Sequence, residues 1–301
     1  MQLSDMRAEL SERVRAYDES VSADQTVLNR WLNLAQREIM SKWDWTFGKA
    51  FYILQTVTDI TTGTVSVTLA STAGTYSSAP SVSTTGRYIQ TATANNWYAI
   101  SAHTASETAF TLGQNYLSAT NTAVAYTVRQ FFYALPSDLD KVISVSQAIT
   151  PRKMVPLSEG QYDKNFIFST ATGTPEAYYL AHLDSSDNLQ IGFYPIPDAT
   201  VNIYIKYRIR TTDMSATTAT GDIPVKNHGV LLDLATAYAL NSLKDQRSDF
   251  WFTKAYAEIQ EMKATDRQDT GHFRVMSAID ERYPKDQIIF RLPPEYGPEG
   301  L

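Results

Sequence analysis

A chain of 301 residues with 26 Lys and Arg against 32 Asp and Glu, a net charge of −6, can bury the core of more than one module. That acidic balance argues against a general nucleic-acid binder, which needs positive surface to displace counterions. The absence of cysteine excludes disulfides, thiolate-ligated metals, iron–sulfur clusters and thiol catalysis.

No apolar run approaches membrane-spanning length, so no membrane is expected as a partner. The opening MQLSDMRAEL lacks the basic-then-apolar order of a secretory signal, and folding in a cytoplasm is expected. Ser4 to Ala16 then reads as a short helix, with Met6, Leu10 and Val14 on one stripe. A second helix follows. Ser22 with Gln25 fits a capping box, and Leu28, Trp31, Leu32, Ala35 and Ile39 recur at spacings of three and four. Arg30, Gln36, Arg37 and Lys42 are assigned to its other side. Trp43, Trp45 and Phe47 continue with a period of two, which predicts extended chain, with the rings in a core or on a subunit contact.

Between Ile60 and Val128 the composition changes. Arg87 and Glu107 are the only Lys, Arg, Asp or Glu residues in this span, which is rich in Thr, Ser, Ala and Gly. Short alternating runs at Val65–Leu69, Tyr98–Ile100, Ala109–Leu112 and Ala125–Val128 are separated by turn-forming stretches such as Ser77–Pro80 and Asn95–Asn96. This predicts a small antiparallel β module, sandwich or barrel. A disordered Ser/Thr linker is the alternative, and Tyr76, Tyr88, Trp97, Tyr98, Phe110 and Tyr116 speak against it. The charge-poor surface is read either as neutral packing surface or as a face whose aromatics stack on sugar rings.

Further on, Leu135-Pro136-Ser137-Asp138 marks a turn and Val142–Val145 a strand. Asp138 and Asp140 are a turn residue and a solvated charge, since nothing fixes them across a substrate as acid–base work requires. Asp184 to Asn188 imitates a calcium loop, but Leu189 and Pro195 stand where an EF-hand needs Gly and Glu, leaving a polar hairpin turn. From Asn202 to Arg210 the alternation is regular: Ile203, Ile205, Tyr207 and Ile209 on one face, Tyr204, Lys206, Arg208 and Arg210 on the other. That basic stripe is either a solvated strand face or a contact to phosphates or an acidic protein.

Two helices close the periodic part of the chain. Asp222 and Pro224 open one that runs to about Leu243; Ser248 and Asp249 open the next, after the link Lys244–Arg247. Beyond Asp269 four prolines and the apolar islands Phe273, Ile288, Ile289 and Phe290 predict an extended tail that docks on its own bundle or on a neighbour. His103, His182, His228 and His272 are scattered, without metal-site spacing, a nucleophile elbow or a Gly-rich phosphate loop. No enzyme, metal or cofactor is expected.

The ordered set Leu32–Ile39 with Trp43–Phe47, Leu135–Leu139 with Val142–Val145, Gly173-Thr174-Pro175 with Tyr178, Ile191–Pro197 into Ile203–Arg210, and Leu231–Ala239 resembles the head–tail adaptor (connector) proteins of tailed double-stranded DNA bacteriophages, the tail tubular protein A-like group. Together with the patterning it implies an α+β fold: a helical bundle built from N- and C-terminal helices, with a β-sheet platform and an inserted antiparallel β module. The expected divisions are 1–54 (N-terminal helices), 55–130 (inserted module), 131–221 (platform), 222–267 (C-terminal helical hairpin) and 268–301 (docking tail).

The resemblance implies a structural virion protein at the head–tail junction, assembled in the host cytoplasm. It would form a homo-oligomeric ring, a dodecamer, with the portal above, a nozzle or tail protein below, and DNA passing non-specifically through the channel. Interface candidates are Lys206, Arg208, Arg210, Phe273, Ile288, Ile289 and Phe290. The alternative is a virion-associated carbohydrate-binding or adhesive protein that uses the 55–130 module.

Overall fold

The computed structural model describes residues 1–147, 153–158, 160–162, 171–184 and 186–269. They form two compact units: one holds Met1–Ser4 and Phe47–Val225, the other Asp5–Thr46 and the described residues from Lys226 onward.

The first unit contains three sheets. In the smallest, β14 (Asn202–Ile209) runs between β1 (Lys49–Gln55) and β10 (Leu139–Gln147), antiparallel to both. A four-stranded sheet follows the order β11 (Val155–Leu157), β12 (Ala177–Leu183), β13 (Leu189–Tyr194), β9 (Phe132–Ala134). These two sheets share one core. Leu54, Val145, Ile203, Ile205 and Tyr207 from the first meet Tyr133, Tyr178, Ile191 and Phe193 from the second, all buried. The polar turn between β12 and β13 is an Asx turn in which Asp184 Oδ1 accepts the Ser186 and Asn188 N–H groups.

The third sheet has seven antiparallel strands in the order β7 (Asn121–Val124), β2 (Val65–Val67), β3 (Ala73–Tyr76), β6 (Ala109–Leu112), β5 (Tyr98–His103), β4 (Tyr88–Thr91), β8 (Tyr126–Arg129). Its two edge strands are consecutive, separated by Ala125 alone, so the sheet must curl until its edges approach. Val65, Tyr76, Tyr98, Ile100, Phe110, Tyr116, Tyr126 and Val128 fill the inside. Gly74, opposite Phe110 on the neighbouring strand, leaves room for that ring; a Cβ there would lie 2.2 Å from it. Where the chain enters and leaves this sheet, Ile60 bridges Val128 and Asp59 holds Arg129 in a bidentate pair with its shortest contact at 2.6 Å.

In the second unit, α1 (Leu3–Val14) contributes from Asp5, followed by α2 (Ser22–Ser41), α3 (His228–Ser242) and α4 (Ser248–Asp269). Leu28, Leu32, Ala35 and Ile39 form the buried stripe of α2, each contributing about 1–3 kcal/mol by burial. α3 packs against both α2 and α4 and is apolar nearly all round, as a helix covered on several sides must be.

Several expectations are corrected. The described chain is mostly β, with fourteen strands in three sheets among the described residues. The expected α+β architecture founded on a helical bundle is therefore not the frame of this fold. The reason lies in strands β1, β3, β4, β7, β9 and β11, three to seven residues each, whose alternation is too short or too uncharged to stand out. Ser22 is the first helical residue of α2 rather than its cap; Val21 takes the cap position and the Gln25 amide donates to the Glu19 carbonyl. Gln36 and Asn33 are buried, while Trp31 is half-buried. After α2 the chain does not extend. Trp45 folds back, donating its indole N–H to the Ile39 carbonyl at 2.7 Å, and Thr46–Gly48 forms a 3₁₀ turn. The helix expected from Asp222 begins at His228, after a 3₁₀ turn at Val225–Asn227.

Candidate protein interface

β14 is buried on one face and open on the other. Ile203, Ile205 and Tyr207 point into the shared core, whereas Tyr204, Lys206 and Arg208 lie on the outer face. The period of two puts every second residue on the same side, so this division follows from the sequence. β1 lies beside it with Phe51 opposite Lys206 and Ile53 opposite Tyr204. Phe51 is 72% exposed, Ile53 57% and Tyr204 41%. On the other flank, Ile143 is exposed at a bulge of β10.

The result is a flat apolar strip with cations set into it. Lys206 Nζ lies 5.3 Å from the centre of the Phe51 ring, within cation–π range. Arg208 donates through Nε to Asp140 at 2.6 Å, a half-exposed pair that contributes little to stability in water. Arg210 is exposed just past the strand end, its backbone N–H bonded to the Asp138 carbonyl. Tyr207 reaches Asp138 from the buried side, at 3.1 Å. Burial first, and then the Asp138 carboxylate that accepts its O–H, push the Tyr207 phenol above its ordinary range. Asp138 and Asp140 thus serve β14.

Of the interface candidates read from the sequence, Lys206 and Arg208 share this face and Arg210 stands at its end. Phe273, Ile288, Ile289 and Phe290 lie outside the described residues. The apolar half of the face escaped sequence reading. Its signal was available in β1, KAFYILQ, where Phe51 and Ile53 are apolar on one side and Tyr52 and Leu54 on the other. A strand apolar on both sides is one that something covers on both sides.

The chemistry available here is that of contact. Among the described residues no group of three or more His, Asp or Glu is placed to hold a metal ion. No helix among them is long and apolar enough to cross a membrane.

Residues 102–278, more than half of the chain, match the family model described as SU10 adaptor protein. The matched span includes β10 and β14 of the candidate face, while β1 precedes it. No curated protein matches the sequence. The chain belongs to the SU10 adaptor protein family, a family of structural phage adaptors.

Proposed function

We propose that this protein is a tail tubular protein A-like adaptor that closes into a ring, a dodecamer, between the phage portal and the tail or nozzle, with the genome passing through its channel. Family membership supports the coarser part of this reading: a virion component that meets other head and tail proteins. The observation that carries the finer part is the open face of β14 and β1, where Phe51, Ile53 and Tyr204 stand in water beside Lys206. Exposed apolar side chains gathered on one sheet face mark contact surfaces.

Its occupant in this proposal is the neighbouring copy. Each subunit carries a net charge of −6, so a cationic strip is complementary to the remainder of an identical chain. Such a head-to-tail contact closes into a ring when the rotation per subunit is right. The proposed division of labour places the contact on β1 and the 131–221 platform together, with 55–130 as an insert not needed for closure.

The alternative carbohydrate-binding reading loses its platform. Tyr76, Tyr98, Phe110 and Tyr116 lie inside the seven-stranded sheet, and half-buried Trp97 packs edge-on against Phe131. Negative-stain microscopy of the purified protein, alone and mixed with its portal, tests the adaptor reading. Rings or portal-bound particles are expected; a protein that stays monomeric and never joins the portal sinks it.

A further inference from the structure

Within the first unit, a cavity of about 500 Å³ opens beside the neck of the seven-stranded sheet. Arg87 is the one charged residue in its lining. It is also the only Lys or Arg between residues 60 and 128. In a stretch that otherwise dispenses with cations, a half-buried arginine needs a reason.

Its backbone is fixed. The Arg87 N–H donates to the Thr84 carbonyl at 3.0 Å and its carbonyl accepts from Ile100 N–H at 2.9 Å, with Gly86 supplying a φ of 78° for the turn between them. No carboxylate pairs with its guanidinium among the described residues. Asp59, just before the sheet, is committed to Arg129. The groups that interact electrostatically with Arg87 are the phenols of Tyr133 and Tyr76, and burial pushes both up to about 12, so neither brings a negative charge at neutral pH. Burial in turn lowers the pKa of the arginine itself, a sign of a cation held without its counter-charge.

The remaining lining is neutral. Thr58, Thr62, Ser78 and Ser81 are exposed hydroxyls at the cavity, beside apolar Val57 and Ile60. One guanidinium fork with hydroxyl donors matches a monoanionic carboxylate in charge and in planar geometry; a phosphate dianion would leave charge unpaired. Sugar recognition would call for an open aromatic ring. The one aromatic in the lining, Tyr126, is buried and donates its O–H to the Thr62 carbonyl. We propose that this cavity is a carboxylate-binding site for an acidic peptide segment of a neighbouring virion protein, with Arg87 as the residue that recognises the charge. The proposal rests on the adaptor reading for the source of the peptide, and on the cavity alone for its chemistry.

Calorimetric titration of the full chain with the capped tripeptide Ac-Ala-Glu-Ala-NH₂, which carries one carboxylate, tests it, with Ac-Ala-Gln-Ala-NH₂, trigalacturonate and inorganic phosphate as the other probes. Saturable binding of the glutamate peptide is expected. Arg87→Gln should weaken it by about tenfold or more, as loss of a hydrogen-bonded charge implies, with Arg87→Lys between. Equal affinity in wild type and Arg87→Gln, no binding at all, or tighter binding of trigalacturonate or phosphate overturns the proposal. Should Arg87→Gln fail to fold, wild-type protein gives a second readout: methylglyoxal modification of Arg87, followed by peptide mapping, should slow with the glutamate peptide and not with the glutamine peptide. Equal rates refute the site. A chain that forms rings yet leaves the peptide unbound refutes this site and leaves the adaptor reading standing; one that binds the peptide and never meets a portal does the reverse.

Discussion

In the helical unit Asp233 is 2% exposed, yet its two oxygens hold Arg13 Nη1 and Lys254 Nζ, each at 2.6 Å. The same two cations flank the Trp251 ring at 5.5 and 5.1 Å. The seven-stranded sheet does the opposite. Between residues 60 and 128 it keeps two charged residues and satisfies its interior with hydroxyls: Thr91 meets Tyr116 at 2.9 Å, and Tyr126 donates to the Thr62 carbonyl. His103 joins this hydrogen-bonded network, its Nδ1 accepting from the Thr84 N–H and its Nε2 facing the Glu107 carbonyl. The lesson concerns sensitivity. A unit tied by buried charge should respond to charge removal and pH, whereas a curled sheet filled with rings should respond to volume.

The largest effect is expected where charge is buried. Asp233→Ala strands Arg13 and Lys254 beside a buried cavity and should destabilise the helical unit by about 3 kcal/mol, read as the 222 nm ellipticity midpoint in urea. A loss below about 1 kcal/mol would show that the two cations are fully rescued by water. Next comes volume. Gly74→Ala places a methyl group against the Phe110 ring at 2.2 Å and should cost about 2 kcal/mol by overpacking. The near-ultraviolet spectrum should change, because Tyr76 packs tilted against that ring with the centroids 4.5 Å apart. An unaltered spectrum and midpoint would mean the ring moves aside freely.

The third effect is alkaline. Burial, then Glu38 accepting its O–H, push the Tyr256 phenol up to about 12. The unfolded chain therefore loses this proton first, near 10, and stability falls as pH rises from 10 towards 12 while staying unaffected below that window. Lys254, raised mainly by its hydrogen bond to Asp233, acts in the same direction. Tyr256→Phe should flatten the pH slope of the helical unit. A slope identical to wild type would assign the effect elsewhere.

What the sequence made legible was periodicity where it is long or regular. The buried stripe of α2 and the alternation of β14 came through as read, because a stripe repeated over eight or more residues leaves little choice of face. The short strands of the curled sheet were harder: β3 is AGTY, and its glycine is explained by Phe110, a residue 36 positions away that only pairing brings opposite. The basic stripe at Lys206 and Arg208 could be read from β14 alone. Its apolar half could not, since Phe51 and Ile53 become its neighbours through a register that spans some 150 residues. Arg87 was visible as the one cation of its charge-poor span, but the cavity beside it is made of segments from distant parts of the chain.

The smallest effect on stability is expected at that outer face. Phe51→Thr with Ile53→Thr places a residue of high strand propensity at each position, so the strand survives, and both side chains stand mostly in water already. The folded monomer should lose no more than about 0.5 kcal/mol, well below the cost of Gly74→Ala. Assembly should nevertheless fail, because the same substitutions remove the apolar area that a neighbouring copy would cover. The two readouts separate the roles of the strip. A large drop in stability with rings retained would make Phe51 and Ile53 part of the fold. Unchanged stability with rings retained would move the subunit contact to another surface, and unchanged stability with rings lost would assign it to the face of β1 and β14.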